Sequence, residues 1–311
     1  MEEPRVAIVR SYRPSSGAPN ARAVTARRIN LRRRMTVEEA FRATVLECLA
    51  QVGGNAPAIR ARETEGVHQI RVGLRRLQMA LRSFGAYADA PSLKALGKRG
   101  RAIADAFGPA RDLDVFADEL LAPVRAKYAD HDSFIALGLA LRHARGEAWD
   151  DALSEILNPD FGVFLNDVAA AAESVPHDIT RIGKVSDRAL AEHWARAKKR
   201  GKRVGRSYNE RTHRLRIALK KLRYAAEFFA PLYPQKKTVR YIKELKVLLD
   251  RMGEANDVHG IESTLARLGS GPEFRFAAGV IAGWHGAREK RLTKKALTSW
   301  RDFRKLKPFW T

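Results

Sequence analysis

From Thr36 onward the chain is written in threes and fours: apolar residues recur at i, i+3 and i+4, Ala and Leu are abundant, and strand-like alternation is scarce. That period predicts helix almost throughout. Thr36, with Glu39 three residues on, forms a capping box before VEEAFRATVLECLA and marks where order is expected to begin. Breaks are predicted at Gly53-Gly54, Ala90-Pro91, Gly108-Pro109, Asn158-Pro159, Val175-Pro176, Pro231 and Pro234, Gly253, and Gly269 to Pro272. The lengths between them suit bundle helices, so the expected class is all-α, with about ten helices.

The same pattern is then found twice. VHQIRVGLRRLQMALRSF from Val67 and THRLRIALKKLRYAAEFF from Thr212 align at a shift of 145 residues. The shift pairs His68 with His213, Arg71 with Arg216, Arg75 with Lys220, Arg76 with Lys221 and Phe84 with Phe229. Without a gap it also pairs Lys98 with Lys243, Arg101 with Lys246, Asp105 with Asp250, Gly108 with Gly253 and Asp112 with Asp257. Eleven of the 47 positions from His68 to Asp114 are identical, and the register is lost outside this span. The expectation is two related helical halves, roughly 36–175 and 186–300, each a small bundle, packed about a pseudo-two-fold axis.

On a helical wheel Val67, Ile70, Leu74, Leu77, Leu81 and Phe84 fill one arc, and His68, Arg71, Arg75, Gln78 and Arg82 the arc beside it. In the second copy Leu215, Leu219, Leu222, Ala226 and Phe229 form the apolar arc, flanked by His213, Arg216, Lys220, Arg223 and Glu227. A cationic strip bordering the core belongs in a groove or an interface, where a lower dielectric strengthens each charge. A solvated helix face would alternate signs. Here no acid occurs between Gly66 and Ala88, and thirteen basic residues from Arg196 to Arg223 meet only Glu210.

Composition sharpens the chemistry. Against 58 Lys and Arg stand 35 Asp and Glu, a formal net charge of +23. Such a field favours polyanions: nucleic acid, an anionic membrane surface or a phosphate polymer. The stretch from Ala104 to Asp178 holds fifteen acidic and five basic residues, so the positive charge is concentrated elsewhere, and this segment is expected to face away from it. Residues 1–35 read as a disordered basic tail, with an arginine-rich transit peptide as the weaker alternative, and residues 301–311 as a basic, aromatic C-terminal tail. No apolar run reaches the ~20 residues that span a bilayer, so the cytoplasm is the default location and no membrane partner is expected.

Other motifs exclude more than they suggest. The single cysteine, Cys48, rules out an intramolecular disulfide framework and CxxC metal ribbons, and is read as a buried thiol. His131, His143, His177, His193, His259 and His285 show no metal-ligand spacing, and no Walker A loop or GxGxxG fingerprint is present. GKRVGRS has glycine and lysine in the wrong order for a P-loop. Neither a metal nor a cofactor is predicted, and the chain is not expected to be an enzyme. Gly108 with Asp112, and Gly253 with Asp257, read as a C′ glycine followed by an N-cap aspartate. Trp149, Trp194, Trp284, Trp300 and Trp310 do not interleave with the basic strips as stacking platforms for a single strand would.

The pattern HxxRxxxRRL at His68 and HxxRxxxKKLRYxxE at His213, each followed by its glycine and aspartate, resembles the CHAD family, the conserved histidine α-helical domain. The likeness covers about 36–300. It implies two four-helix bundles about a pseudo-two-fold axis with a basic central groove or pore, inorganic polyphosphate binding, and association with polyphosphate granules. His68, Arg71, Arg75 and Arg76 match the first signature; His213, Arg216, Lys220, Lys221 and Arg223 match the second. Arg82, Lys98, Arg101, Arg196, Lys199, Lys243 and Lys246 complete the expected polyphosphate-binding set, in which phosphate or sulfate ions would also lodge. The copies differ where Asn256 and His259 stand opposite Arg111 and Asp114. Nucleic acid, held by the same field, is the alternative partner.

Overall fold

The structure, a computed structural model, describes residues 22–88, 91–175, 179–205 and 207–311. Among these residues the chain is all-helical, with no strand beyond an isolated bridge between Thr36 and Arg181. Thirteen α-helices are present among them. The excess over ten comes from short pieces such as α2 (Ala56–Arg60), α5 (Gly108–Val115) and α6 (Ala122–Arg125), too brief to show a period. Most of residues 1–35 and His177 lie outside the described residues, as do Ala90 and Pro176 of the expected breaks.

The chain folds as two compact units. Unit 1 is Met1–Arg111 with Glu147–Ser186; unit 2 is Asp112–Gly146 with Asp187–Thr311. The 112–146 segment therefore sorts with the C-terminal part of the chain, where the sequence reading kept it in the first half.

In unit 1, α1 (Val37–Gly54), α3 (Thr64–Ala88), α4 (Pro91–Ala106) and α8 (Pro159–Glu173) pack each against the next, and α8 closes the ring on α1. Helix α1 starts at the expected capping box: the Thr36 N–H donates to Glu39 Oε2 at 2.8 Å, and the Glu39 N–H to Thr36 Oγ1 at 3.2 Å. Phe41 and Phe84 join α1 to α3 at 5.5 Å, a pairing worth ~0.5–1.5 kcal/mol beyond area burial. Residues ahead of Thr36 also dock. Ile29 and Leu31 are buried, and Val24 and Asn55 exchange two hydrogen bonds, at 2.9 and 2.8 Å.

In unit 2, α11 (Gln235–His259) packs against α10 (Glu210–Phe229) and α13 (Arg275–Phe303). Trp194 of α9 (Ile182–Gly201) meets Trp300 and Phe303 edge-on at 5.8 and 5.7 Å. A π-helical turn, Phe116–Leu121, and α12 (Ile261–Leu268) also contact α13. The C-terminal residues are pinned by aromatic contact: Phe309 and Trp310 lie 5.5 and 5.2 Å from Tyr241. Helix α7 (Asp132–Leu157) runs from one unit into the other.

One expected break is corrected. Gly253 and Asp257 are interior to α11, and Asp112 is interior to α5, so neither aspartate is an N-cap after a C′ glycine. A lone glycine costs a helix only ~1 kcal/mol against alanine, and a 25-residue helix packed on two neighbours absorbs it. In the first copy the chain does turn, at Phe107 between α4 and α5.

Candidate polyanion-binding site

Each unit carries one copy of the cationic strip on a helix whose other face is core. In α3, Val67, Ile70, Leu74, Leu77, Leu81 and Phe84 are all buried, and this apolar arc fixes the rotation of the helix. His68, Arg71 and Arg75 are then half-buried at its border, and Arg82 is exposed. Arg71 reaches across to α5: a Cβ on Gly108 would stand 2.9 Å from its Nη1. The first repeated glycine leaves room for the guanidinium of the first repeated arginine. Lys98 and Arg101 are exposed on α4, and Arg101 lies 3.5 Å from Asp105 one turn on.

Arg76 does not join the strip. It is 5 % exposed and sits beside Cys48, whose thiol burial pushes up to about 11 against the pull of the guanidinium. The neighbouring arginine in the sequence points elsewhere because successive residues are 100° apart on a helix.

In unit 2 the same arc of α10, Leu215, Leu219, Leu222, Ala226 and Phe229, is buried, leaving His213, Arg216, Lys220, Lys221 and Arg223 half-buried. Arg216 lies over Gly253 as Arg71 lies over Gly108, more loosely: a Cβ there would meet Nη2 at 3.6 Å, an ordinary contact. Its Nε is buried with no hydrogen-bond partner, a donor held ready in a site of reduced dielectric.

The second strip is framed by polar groups from neighbouring segments. His213 Nδ1 lies 3.1 Å from Asn256 Oδ1, and the Tyr208 hydroxyl donates to the same oxygen at 3.0 Å. Asn256 Nδ2 donates to Asp257 Oδ1 at 3.2 Å, which orients the amide. With its oxygen offered to His213, the amide favours the tautomer that donates from Nδ1. Desolvation raises the Asp257 pKa from its ordinary value, outweighing the Asn256 hydrogen bond and the pull of Arg216 and Lys220. Burial likewise pushes the Tyr208 phenol up to about 12, against the nearby Arg216 charge. At the far end of α10, Glu227 stands 3.8 Å from Arg223 Nε and 3.6 Å from Lys246 Nζ, which partly neutralises both. Lys243 is exposed one turn before Lys246 on α11.

Arg196 and Lys199 lie exposed on α9, and Arg196 is paired with Glu192 at 3.2 Å. Asn256 and Tyr208 were not expected at the site, and their signal in the sequence was weak: one breaks the repeat, the other lies outside its register. Several carboxylates of the acidic stretch are engaged within unit 1, Asp167 with Arg99 at 2.9 Å and Glu173 with Arg42 at 3.1 Å. In unit 2 the buried Asp114 takes two bonds from Arg145, at 2.9 and 2.6 Å. Among the described residues no group of three or more His, Cys, Asp or Glu is placed to hold a metal ion, and no helix is long and apolar enough to cross a membrane.

Each strip by itself is suited to an extended anion: half-buried cations along one helix, with donors spaced by helical turns of about 5 Å. The family model described as the CHAD domain matches residues 43–266. The crystal structure of the CHAD domain from the plant Ricinus communis is similar at a TM-score of 0.79 and 25% identity, covering 93% of this chain and 98% of that one. PptA from Streptomyces chartreusis shares the fold, with a TM-score of 0.65 at 15% identity over 87% of this chain and 98% of its own. No curated protein matches.

Proposed function

This chain belongs to the CHAD domain family, and on that premise we propose that it binds inorganic polyphosphate through the α3 and α10 strips, without catalysis, and is retained by polyphosphate granules. The observation that supports this most is the repeated Arg-over-Gly arrangement, Arg71 on Gly108 and Arg216 on Gly253, which seats a guanidinium at the core border of each strip. Polyphosphate has no base edges to read, so spaced phosphate contacts suffice for its recognition. Arginine supplies forked donors and lysine a mobile point charge.

Titration with polyphosphate of defined lengths tests the reading, comparing the wild type with the variant Arg71→Glu, Arg75→Glu, Arg216→Glu and Lys220→Glu. The expected result is loss of binding; unchanged affinity in a folded variant would overturn the site. Six phosphate contacts give a log-log salt slope of about −4, at about 0.7 per contact. Duplex DNA at equal ionic strength should compete poorly, and phosphate release from polyphosphate in the presence of Mg²⁺ would overturn the non-catalytic reading.

A further inference from the structure

The connector from α9 to α10 carries a second concentration of charge that the repeat does not account for. A cleft of about 730 Å³ there is lined by five cations: Arg200, Lys202, Arg203, Arg211 and Arg214. Val204 and the Gly205 backbone complete the wall. Of the five, only Arg214 has a carboxylate partner among the described residues, Glu210 at 2.6 Å. The cleft thus gathers like charges in one concave place, at a repulsive cost that an anion would relieve.

None of the strip residues lines this cleft. On the α10 wheel, Arg211 and Arg214 lie roughly 140–160° from the centre of the strip formed by His213, Arg216, Lys220 and Arg223. An anion gripped by the strip does not occupy it. The lining also selects a class. With four guanidinium groups and one ammonium it offers many donors in a small volume, suited to clustered phosphate oxygens. Among the described residues its lining has no aromatic ring on which a nucleobase could stack, and Val204 is the one apolar side chain.

We propose that the cleft at the α9–α10 junction is a separate site for a compact, multiply phosphorylated, non-aromatic anion, which is a linear oligophosphate or a polyphosphorylated polyol. It holds its ligand independently of the strips. The proposal does not rest on the strips binding polyphosphate, and the two readings fail separately.

The test is calorimetric titration of the full chain with tripolyphosphate, myo-inositol hexakisphosphate, ATP and long-chain polyphosphate. The cleft variant, Arg203→Ala with Arg211→Ala, should weaken one or both of the first two by tenfold or more, and leave long-chain polyphosphate within threefold of wild type. The anion that responds more identifies the source. The strip variant, Arg75→Ala with Lys220→Ala, should do the reverse. Circular dichroism of each variant confirms that the helices are intact, as exposed Arg203 and Arg211 should allow. Compact-anion affinity unchanged in the cleft variant, or lost equally in the strip variant, would overturn the separate site. ATP binding tenfold tighter than tripolyphosphate would overturn the ligand class. Long-chain affinity unchanged in the strip variant would sink the strip reading and leave the cleft standing.

Discussion

The α3 and α10 strips share a histidine, an arginine over a glycine and a flanking apolar arc, yet they handle their own charge differently. Helix α3 ends its strip with exposed Arg82, whereas α10 places Glu227 at the same register, within 4 Å of Arg223 and Lys246. Asn256 and Tyr208 fix the ring of His213, and Asp257 sits within electrostatic reach of Arg216 and Lys220, while the first copy has Arg111 where Asn256 stands. The second strip thus carries an acid on its own helix where the first carries a further arginine. The cations recur between the two strips, whereas the counter-charges differ. The first copy should therefore contribute more to affinity and the second more to geometry.

The largest test of that contrast is to reverse one strip at a time. Arg71→Glu with Arg75→Glu should weaken long-chain polyphosphate binding by on the order of 100-fold, and Arg216→Glu with Lys220→Glu by about tenfold, since salt-sensitive phosphate contacts are lost in both but local acids already offset part of the second. Equal losses would erase the asymmetry. Next come the paired glycines. Gly108→Ala forces the Arg71 guanidinium aside and should cost several-fold in affinity, whereas Gly253→Ala meets only ordinary contact and should raise stability by up to ~1 kcal/mol through helix propensity, read as a shift in the denaturation midpoint. Destabilisation by both would show that the glycines are needed for packing alone.

Smaller effects probe the counter-charges. Glu227→Gln frees Arg223 and Lys246 and should tighten binding about threefold at low salt, an advantage that fades as ionic strength screens the exposed lysine. Asp257 gives the finest comparison. Because its folded pKa is raised, the folded chain still holds this proton where the unfolded chain has lost it; stability falls as pH rises through that window and is level above it. Phosphates near Arg216 would push the carboxyl higher still, so binding should take up a proton and strengthen on acidification. Asp257→Asn should remove that pH dependence and tighten binding slightly at neutral pH; an unchanged pH profile would place Asp257 outside the ligand's field.

Much of this was legible in the chain because helical period and repetition are local signals. The strip, its apolar arc and the Thr36–Glu39 capping box needed nothing beyond spacing. Gly253 was misread as a break because propensity alone cannot weigh the packing of α10 and α13 against α11. Arg76 was grouped with its neighbours by signature, and only the position of Cys48 reveals that it turns into the core. Ile29 and Leu31 lie among arginines in too short a stretch to show a period, so the docking of residues 22–35 was invisible. Asn256 gained its place from a partner 43 residues away.

The assignment of residues 112–146 to unit 2 has a consequence for the order in which the chain is made. The Leu120 carbonyl accepts its bond from His285 Nε2, 165 residues later, and the Ser133 hydroxyl its bond from the Ala277 N–H, 144 residues later. At about 5–20 residues per second of synthesis, the segment emerges roughly 8–33 s before His285 exists. Phe116, Leu120, Leu121, Phe134 and Leu137, all buried in the finished protein, leave the ribosome before their unit can close. The last residue of unit 1 is Ser186, so the whole of that unit has been synthesised early in that interval. Nascent chains stalled between Ser186 and His285 should hold a completed first bundle while recruiting chaperones that recognise exposed apolar helix.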